Sequence, residues 1–159
     1  MCRKLIDSNI WVAHEMGYPD VVFYIRELIK SEQSLVINTV IEMELMSHYE
    51  IETNPIVKQI REDYVYKMID EIIDITSPIA MKAGEIRRKA KLLGRRVPKG
   101  PDALIAATAI VHRIPLVSNN DKDFKWISEH FDFPLINPIT NHTDFQEFQQ
   151  MYKRKRENM

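Results

Sequence analysis

The sequence predicts an α/β fold in which helices cover both faces of a parallel sheet of about five strands. Short apolar runs of four or five residues alternate with longer segments of helical periodicity along the 159 residues. The short runs are mostly apolar, which is typical of parallel strands buried on both faces. There is no internal repeat or low-complexity linker, and a hydrophobic fraction of 45% suits a single domain over residues 1–159.

The first half of the chain contains two predicted strands and three helical segments. Proline is tolerated in a first helical turn, so Pro19 and Pro55 mark helix starts. Thr39, followed three residues later by Glu42, predicts a capping box. In order, we predict a strand at 4–7, helix from Ile10 that restarts after Pro19 and ends at Lys30, a strand at 34–37, a helix from Thr39, and a helix from Pro55 to Asp70.

The second half follows the same alternation. Ser77-Pro78 and Pro101 begin helices, while Pro98 to Pro101 form a loop. In order, we predict a strand at 72–76, a helix from Ser77 to Gly94, a helix from Pro101, a strand at 115–118, a helix that contains Phe124 and Trp126, a strand at 134–137, and a C-terminal helix and basic tail at 143–159.

Several carboxylates follow the predicted strands. Asp7 ends the first strand, Glu44 lies about two turns into the helix after the second, and Asp121 and Asp123 follow the fourth. Asp102 occupies the first turn of a helix that is apolar nearly all round. Ligands of parallel sheets bind beyond the carboxyl ends of the strands. Acids gathered there repel one another without a cation, so the pattern indicates a site for a hard divalent ion such as Mg²⁺, acting on a phosphoryl group.

Each of these acids also has a purely structural explanation. Asp7 suits a helix cap, and Asp102 suits the positive end of a helix dipole. Asp121 and Asp123 suit the start of the following helix. The spacing alone therefore leaves both the metal and the capping interpretations open.

The basic residues are segregated, although the net charge is only −1. Residues 87–99 hold seven Arg or Lys and no acid, and residues 153–156 add four more of the 22 basic residues. The asymmetry is compatible with a phosphate-bearing partner, and equally with a solvated helix end and a frayed tail. The candidates for contact with phosphates are Arg87, Arg88, Lys91, Arg95, Arg96 and Lys99.

Other chemistries find little support in the sequence. The five histidines lack metal-ligand spacing, and no glycine-rich phosphate loop is present. Cys2 is the only cysteine, so no internal disulfide forms. We see neither a signal peptide nor an apolar run long enough to span a bilayer. A cytoplasmic protein that does not contact membranes is expected.

Four segments, read in order, resemble the PIN-domain family and, within it, the VapC-type toxin ribonucleases. They are "LIDSN", "VINTVIEMELMS", "PDALIAATAI" and "LVSNNDKDF". The resemblance implies a flavodoxin-like α/β/α sandwich that hydrolyses RNA phosphodiester bonds with one or two Mg²⁺ or Mn²⁺ ions. It also implies a homodimer and a small antitoxin protein that occludes the site.

The resemblance assigns roles to the residues it matches. Asp7, Glu44 and Asp102 look like the core metal-ligating acids, and Glu44 is preferred to Glu42 because it precedes Leu45. Asp123 best matches the fourth acid, with Asp121 a close competitor because "SNNDKDF" can be aligned in two registers. The family's supporting polar residues fall on Asn9 and Ser118.

Departures from the family pattern leave alternatives open. No glycine follows Glu-Leu, and the last helix and "KRKREN" tail are extra. A catalytically idle PIN-like module that binds RNA or acts as a scaffold is one alternative. A phosphatase of the haloacid-dehalogenase type is another, although it requires a second Asp where this chain has Asn9. For base stacking the candidates are Trp11 and Tyr18, with core packing the favoured role of Trp11.

Overall fold

A computed structural model describes residues 2–158. Within them the strands are β1 (Arg3–Ile6), β2 (Ser34–Asn38), β3 (Glu71–Ile73), β4 (Leu116–Val117) and β5 (Leu135–Ile136). The α-helices are α1 (Ser8–Met16), α2 (Pro19–Lys30), α3 (Thr39–Met46), α4 (Pro55–Asp63), α5 (Ser77–Leu92), α6 (Gly100–His112), α7 (Asp121–Phe131) and α8 (His142–Glu157). A 3₁₀ turn spans Tyr49–Ile51, and a π-helical turn spans Tyr64–Met68.

The five strands form one parallel sheet in the order β3-β2-β1-β4-β5, which confirms the predicted fold class. In the central strand, Leu5 aligns with Val36 of β2 on one side and with Leu116 of β4 on the other. Leu5 and its neighbour Ile6 are both fully buried. Because successive strand residues point to opposite faces, helices must cover both faces of the sheet.

The strand order reverses direction at β1. The chain adds β2 and β3 on one side of β1 and then returns to add β4 and β5 on the other. Ligand sites of parallel sheets lie at such a switch point, beyond the carboxyl ends of the two strands that flank it. The first residues after β1 and β4 are Asp7 and Ser118, so the fold places both at this position.

The predicted helix from Pro55 to Asp70 is too long. Helix α4 ends at Asp63, and the π-helical turn closes at Met68. Asp70 instead continues the edge of the sheet, because its backbone N–H donates to Leu35 O at 2.8 Å and its carboxylate accepts the Leu35 N–H at 2.8 Å. Asp70 therefore lies outside the helix because it is hydrogen-bonded to the backbone of β2.

The predicted capping box at Thr39 and Glu42 is wrong. The cap of α3 is Asn38, whose Oδ1 accepts the Ile41 N–H at 2.9 Å. With Asn38 as the cap, Glu42 lies one residue too late to complete a capping box. The amide of Asn38 also donates to Thr108 Oγ1 at 2.9 Å and so joins α3 to α6. Because this cap also connects two helices, it fixes the position of α3 and therefore of Glu44.

An ion pair is buried between α1 and α4. Arg61 is 3% exposed, and its guanidinium donates to the Glu15 carboxylate at 2.7 and 3.2 Å and to Leu45 O at 2.9 Å. Removing either partner would leave the other charge buried and unpaired, which would destabilise the fold. It connects α1 and α4 to the C-terminal half of α3.

The C-terminal segment is helical through Glu157. Tyr18 OH donates to Asp144 at 2.9 Å, and the rings of Phe145 and Phe148 pack edge-on against Tyr18 at 4.8 and 5.2 Å. Further along α8, Arg156 pairs with the Glu50 carboxylate. The basic end of the chain is therefore tied to the folded body by packing at one end and an ion pair at the other.

In the part of the chain that the structure describes, no helix is both long enough and apolar enough to cross a membrane.

Replacing Arg61 by Met tests the buried ion pair. The variant leaves Glu15 buried without its partner, and we expect the free energy of unfolding to fall by roughly 3 kcal/mol. Lys58→Met is the matched control on the same helix, because Lys58 pairs with Glu62 at an exposed position and such pairs contribute less than about 1 kcal/mol. Urea unfolding measures both values, and equal losses would contradict the role given to Arg61.

Candidate functional site

Asp7 is held from both sides of the switch point. Its Oδ1 accepts the Ser8 N–H at 2.8 Å, and its Oδ2 accepts the Ser118 hydroxyl at 2.8 Å. The Asn9 amide lies 3.3 Å from the same Oδ2. Asp7 is thus the N-cap of α1 and, at the same time, the centre of a polar cluster. The capping and site interpretations of this residue are both compatible with its geometry.

A network of amides fixes the residues beside Asp7. The Ser118 oxygen, besides donating to Asp7, accepts the Asn120 N–H at 3.0 Å and the Asn9 amide at 3.2 Å. Asn9 Oδ1 accepts the Asn119 N–H at 3.1 Å. Asn9 and Ser118, predicted as supporting residues, therefore contact Asp7 directly. Asn119 and Asn120 were not singled out from the sequence, although the "SNN" run after β4 was the available signal.

Glu44 approaches Asp7 from α3. Its Oε1 accepts the Ser8 hydroxyl at 3.2 Å, which places Ser8 between the two acids. Burial raises the pKa of Glu44 to about 7, and the charge of Asp7 adds to that effect. The sequence gives no signal for this role of Ser8, because a serine directly after a strand is equally suited to a helix start.

Asp102 brings the first turn of α6 into the same cluster. It is half-buried, and its pKa is raised first by burial and then by the charge of Asp123. Lys99 and Arg96 act in the opposite direction on the same carboxyl. Asp102 also raises the pKa values of Asp7 and Glu44. Asp102 therefore repels each of the other three predicted acids, Asp7, Glu44 and Asp123.

The structure separates the two acids that the sequence left in competition. Asp123 Oδ2 accepts the Asn120 amide at 3.0 Å, and its charge acts on Asp102. Asp121 Oδ2 accepts the amide of Asn137, a residue just after β5, at 3.2 Å. Asp123 thus belongs to the acidic cluster, whereas Asp121 connects α7 to the neighbouring strand.

Ionising this cluster costs free energy in the folded protein. Burial raises the pKa of Asp7 from 3.8 to about 6, the hydrogen bonds from Ser118 and Ser8 oppose the rise, and the charge of Asp102 adds to it. A shift of that size corresponds to roughly 3 kcal/mol for the ionised form. An oxygen-only donor set of this charge suits a hard divalent cation.

The acids are gathered but not closed into a cage. Among residues 2–158, no three His, Cys, Asp or Glu side chains already form a ready metal-binding group. Asp7, Glu44, Asp102 and Asp123 are the residues that would hold an ion. Mg²⁺ binds through few carboxylates and keeps several waters, so an open arrangement of this kind is compatible with it.

The basic segment 87–99 divides into two groups. Arg96 and Lys99 lie within electrostatic range of Asp102. Arg87, Arg88 and Lys91, at the exposed end of α5, line a separate groove together with Leu92 and Val97. The Arg87 side chain is partly committed, because its Nε donates to Pro98 O at 3.1 Å. Contact of these six residues with phosphates stays a prediction.

The base-stacking roles considered for Trp11 and Tyr18 are wrong. Trp11 is fully buried, and Tyr18 is 2% exposed. Trp11 packs against Tyr64 with ring centroids 5.0 Å apart, while Tyr18 anchors α8. Both rings belong to the hydrophobic core, and neither presents a face to a ligand.

Known proteins are similar to this chain in sequence and in fold. Ribonuclease VapC2 of Rickettsia felis is 28% identical over 123 residues, which span 77% of this chain and 90% of the relative. The crystal structure of VapBC2 from Rickettsia felis bound to a promoter DNA fragment has a TM-score of 0.67 at 26% identity, over 85% of this chain and 98% of that one. A toxin-antitoxin complex from Klebsiella pneumoniae has a TM-score of 0.60 at 25% identity, over 85% and 97%.

The family model of the PIN domain matches residues 4–129. That range contains β1 except Arg3, all of β2, β3 and β4, and all of the acids of the cluster. The chain therefore belongs to the PIN domain family.

Proposed function

We propose that this protein is a Mg²⁺- or Mn²⁺-dependent endoribonuclease that hydrolyses RNA phosphodiester bonds. The observation that carries the proposal is the cluster at the switch point of the sheet, where Ser8 bonds to both Asp7 and Glu44 and Asn120 bonds to Asp123. Asp102 lies within electrostatic range of all three acids. A relative that matches 77% of this chain, VapC2 of Rickettsia felis, is a ribonuclease. The pairing of Asn9 with Asp7 and Ser118 further disfavours an aspartyl phosphatase, which needs a carboxylate at that position.

The chain's own residues prepare the site for a phosphodiester. The Ser8 N–H and the Ser118 hydroxyl each donate to one oxygen of Asp7 and so fix the orientation of its carboxylate. Asn120 positions Asp123 in the same way. Arg96 and Lys99, beside Asp102, would offset the repulsion between an RNA backbone and the acids. One or two bound cations would supply Lewis acidity and an activated water.

A small antitoxin protein is the proposed partner. Solved structures similar to this chain are toxin-antitoxin complexes, including the one from Rickettsia felis VapBC2 and the one from Klebsiella pneumoniae. We infer that such a partner covers the acidic cluster and suppresses cleavage, and that the chain forms a homodimer in the cytoplasm. Copurification of a small protein that suppresses cleavage would identify the partner.

Asp102→Asn tests the ribonuclease directly. We expect Mg²⁺-dependent cleavage of a structured RNA to fall by at least about 100-fold, because the variant removes the acid that interacts with the other three. Glu42→Gln is the control, since Glu42 lies on α3 outside the cluster and should leave cleavage near the wild-type rate. Gel analysis of RNA fragments with Mg²⁺ and with EDTA measures both. Equal cleavage by wild type and Asp102→Asn would assign the activity elsewhere, and would favour an idle site in this chain.

The pair Asp123→Asn and Asp121→Asn tests which acid serves the site. We expect the first to reduce cleavage by about 10- to 100-fold, in line with the loss of a group that acts on a metal site. The second should change it by less than about threefold, because Asp121 is bound to Asn137. The same RNA assay, with thermal unfolding to confirm folding, distinguishes them. The reverse order of effects would place Asp121 in the cluster.

A further inference from the structure

A cleft that combines basic and aromatic side chains adjoins the acidic cluster. It has a volume of about 220 Å³ and is lined by Arg95, Arg96, Lys122, Asp123 and Trp126. Three of these residues are cationic, and Trp126 is only partly buried. Cationic side chains with an aromatic ring are the combination that binds single-stranded nucleic acid, since they serve its phosphates and its bases separately.

Arg95 and Trp126 form the wall of this cleft. The Arg95 guanidinium lies over the Trp126 ring, 5.6 Å from its centroid. The same two residues border a neighbouring cleft of about 210 Å³ that also contacts Leu93 and His130. A guanidinium that lies over an aromatic ring is restrained by it, and a planar guanidinium is a surface on which a base can stack.

The cleft is continuous with the proposed reaction centre. Asp123 is both part of its lining and a member of the acidic cluster. Arg96, another lining residue, acts electrostatically on Asp102. A nucleotide in the cleft would therefore adjoin a phosphate held at the acids.

We propose that this cleft is the subsite for the nucleotide adjoining the scissile phosphate of a single-stranded RNA. The base stacks on the Arg95 plane that Trp126 supports, and the phosphate of that nucleotide lies between Arg96 and Lys122. Arg95 and Trp126 are then base-binding residues. The assignment rests on the proposed ribonuclease function, because the acids define where the scissile phosphate lies.

Matched variants separate stacking from charge. Arg95→Lys keeps the charge and removes the plane, whereas Trp126→Leu removes the ring that supports it. Trp126→Phe retains an aromatic face and is the control. Arg96→Ala and Lys122→Ala each remove one phosphate contact, and each should reduce the slope of log affinity against log salt by about 0.7 for a single strand. Thermal unfolding confirms that each variant is folded.

The probe is a fluorescently labelled octauridylate, which stays intact in the absence of divalent ions, compared with the same strand carrying abasic residues. In EDTA, we expect wild type and Trp126→Phe to bind the strand with bases at least about fivefold more tightly than the abasic strand, as measured by anisotropy. Arg95→Lys and Trp126→Leu should lose most of that preference, and Arg95→Lys should keep the wild-type salt slope.

Cleavage of unmodified RNA in Mg²⁺, measured in parallel, separates the two proposals. Equal binding of both strands by wild type, or an undiminished preference in Arg95→Lys and Trp126→Leu, would overturn the subsite even if the protein cleaves RNA. Base preference that depends on Arg95 and Trp126, without any cleavage by wild type, would overturn the ribonuclease and its scissile position while leaving a base-binding cleft.

Discussion

The hydrogen bond from Ser118 to Asp7 is the contact on which the site depends. It joins the ends of β1 and β4, the two strands between which the chain reverses its direction across the sheet. Asp7 is buried there because the strand before it is buried, and its charge is tolerated because Ser118 and Ser8 donate to it. The other acids then reach the same point from helices whose starts are set by neighbouring strands and loops. The position of the site thus follows from the topology of the parallel sheet, and the Ser118 hydroxyl stabilises Asp7 there.

The acidic cluster lowers the stability of the folded protein when its carboxyl groups are ionised, and such a cost is typical of a functional site. Burial and mutual repulsion raise the pKa values of Asp7, Glu44 and Asp102. A raised carboxyl pKa means that the folded state binds protons more tightly than the unfolded state. The cluster therefore weakens the protein as the pH rises from about 4 toward neutrality, and costs little below that range. A bound cation would offset the cost at neutral pH, which links the stability of the apo protein to occupation of the site.

Much of this organisation was predictable from the sequence. Apolar strand runs predicted the sheet, and the position of Asp7, Glu44 and Asp102 after strands or on a buried helix predicted that they lie near one another. Their role as metal ligands stays a prediction. Local patterns failed where tertiary contacts decide. Asn38, rather than Thr39, caps α3 because it also reaches Thr108. Asp70 leaves its helix to pair with Leu35. Two aspartates in one turn of α7 are distinguishable only once Asn120 and Asn137 are in place.

Titration of Mn²⁺ into the metal-free protein near pH 6.5 tests the central claim, that these acids share a divalent cation. Calorimetry in two buffers of different ionisation enthalpy counts the protons released. With Asp7 titrating at about pH 6 and Glu44 at about pH 7, binding at pH 6.5 should displace protons from both. We expect saturable binding with net proton release, reduced or abolished in Asp7→Asn. Absence of binding, or binding unchanged in Asp7→Asn and without proton release, would contradict the account.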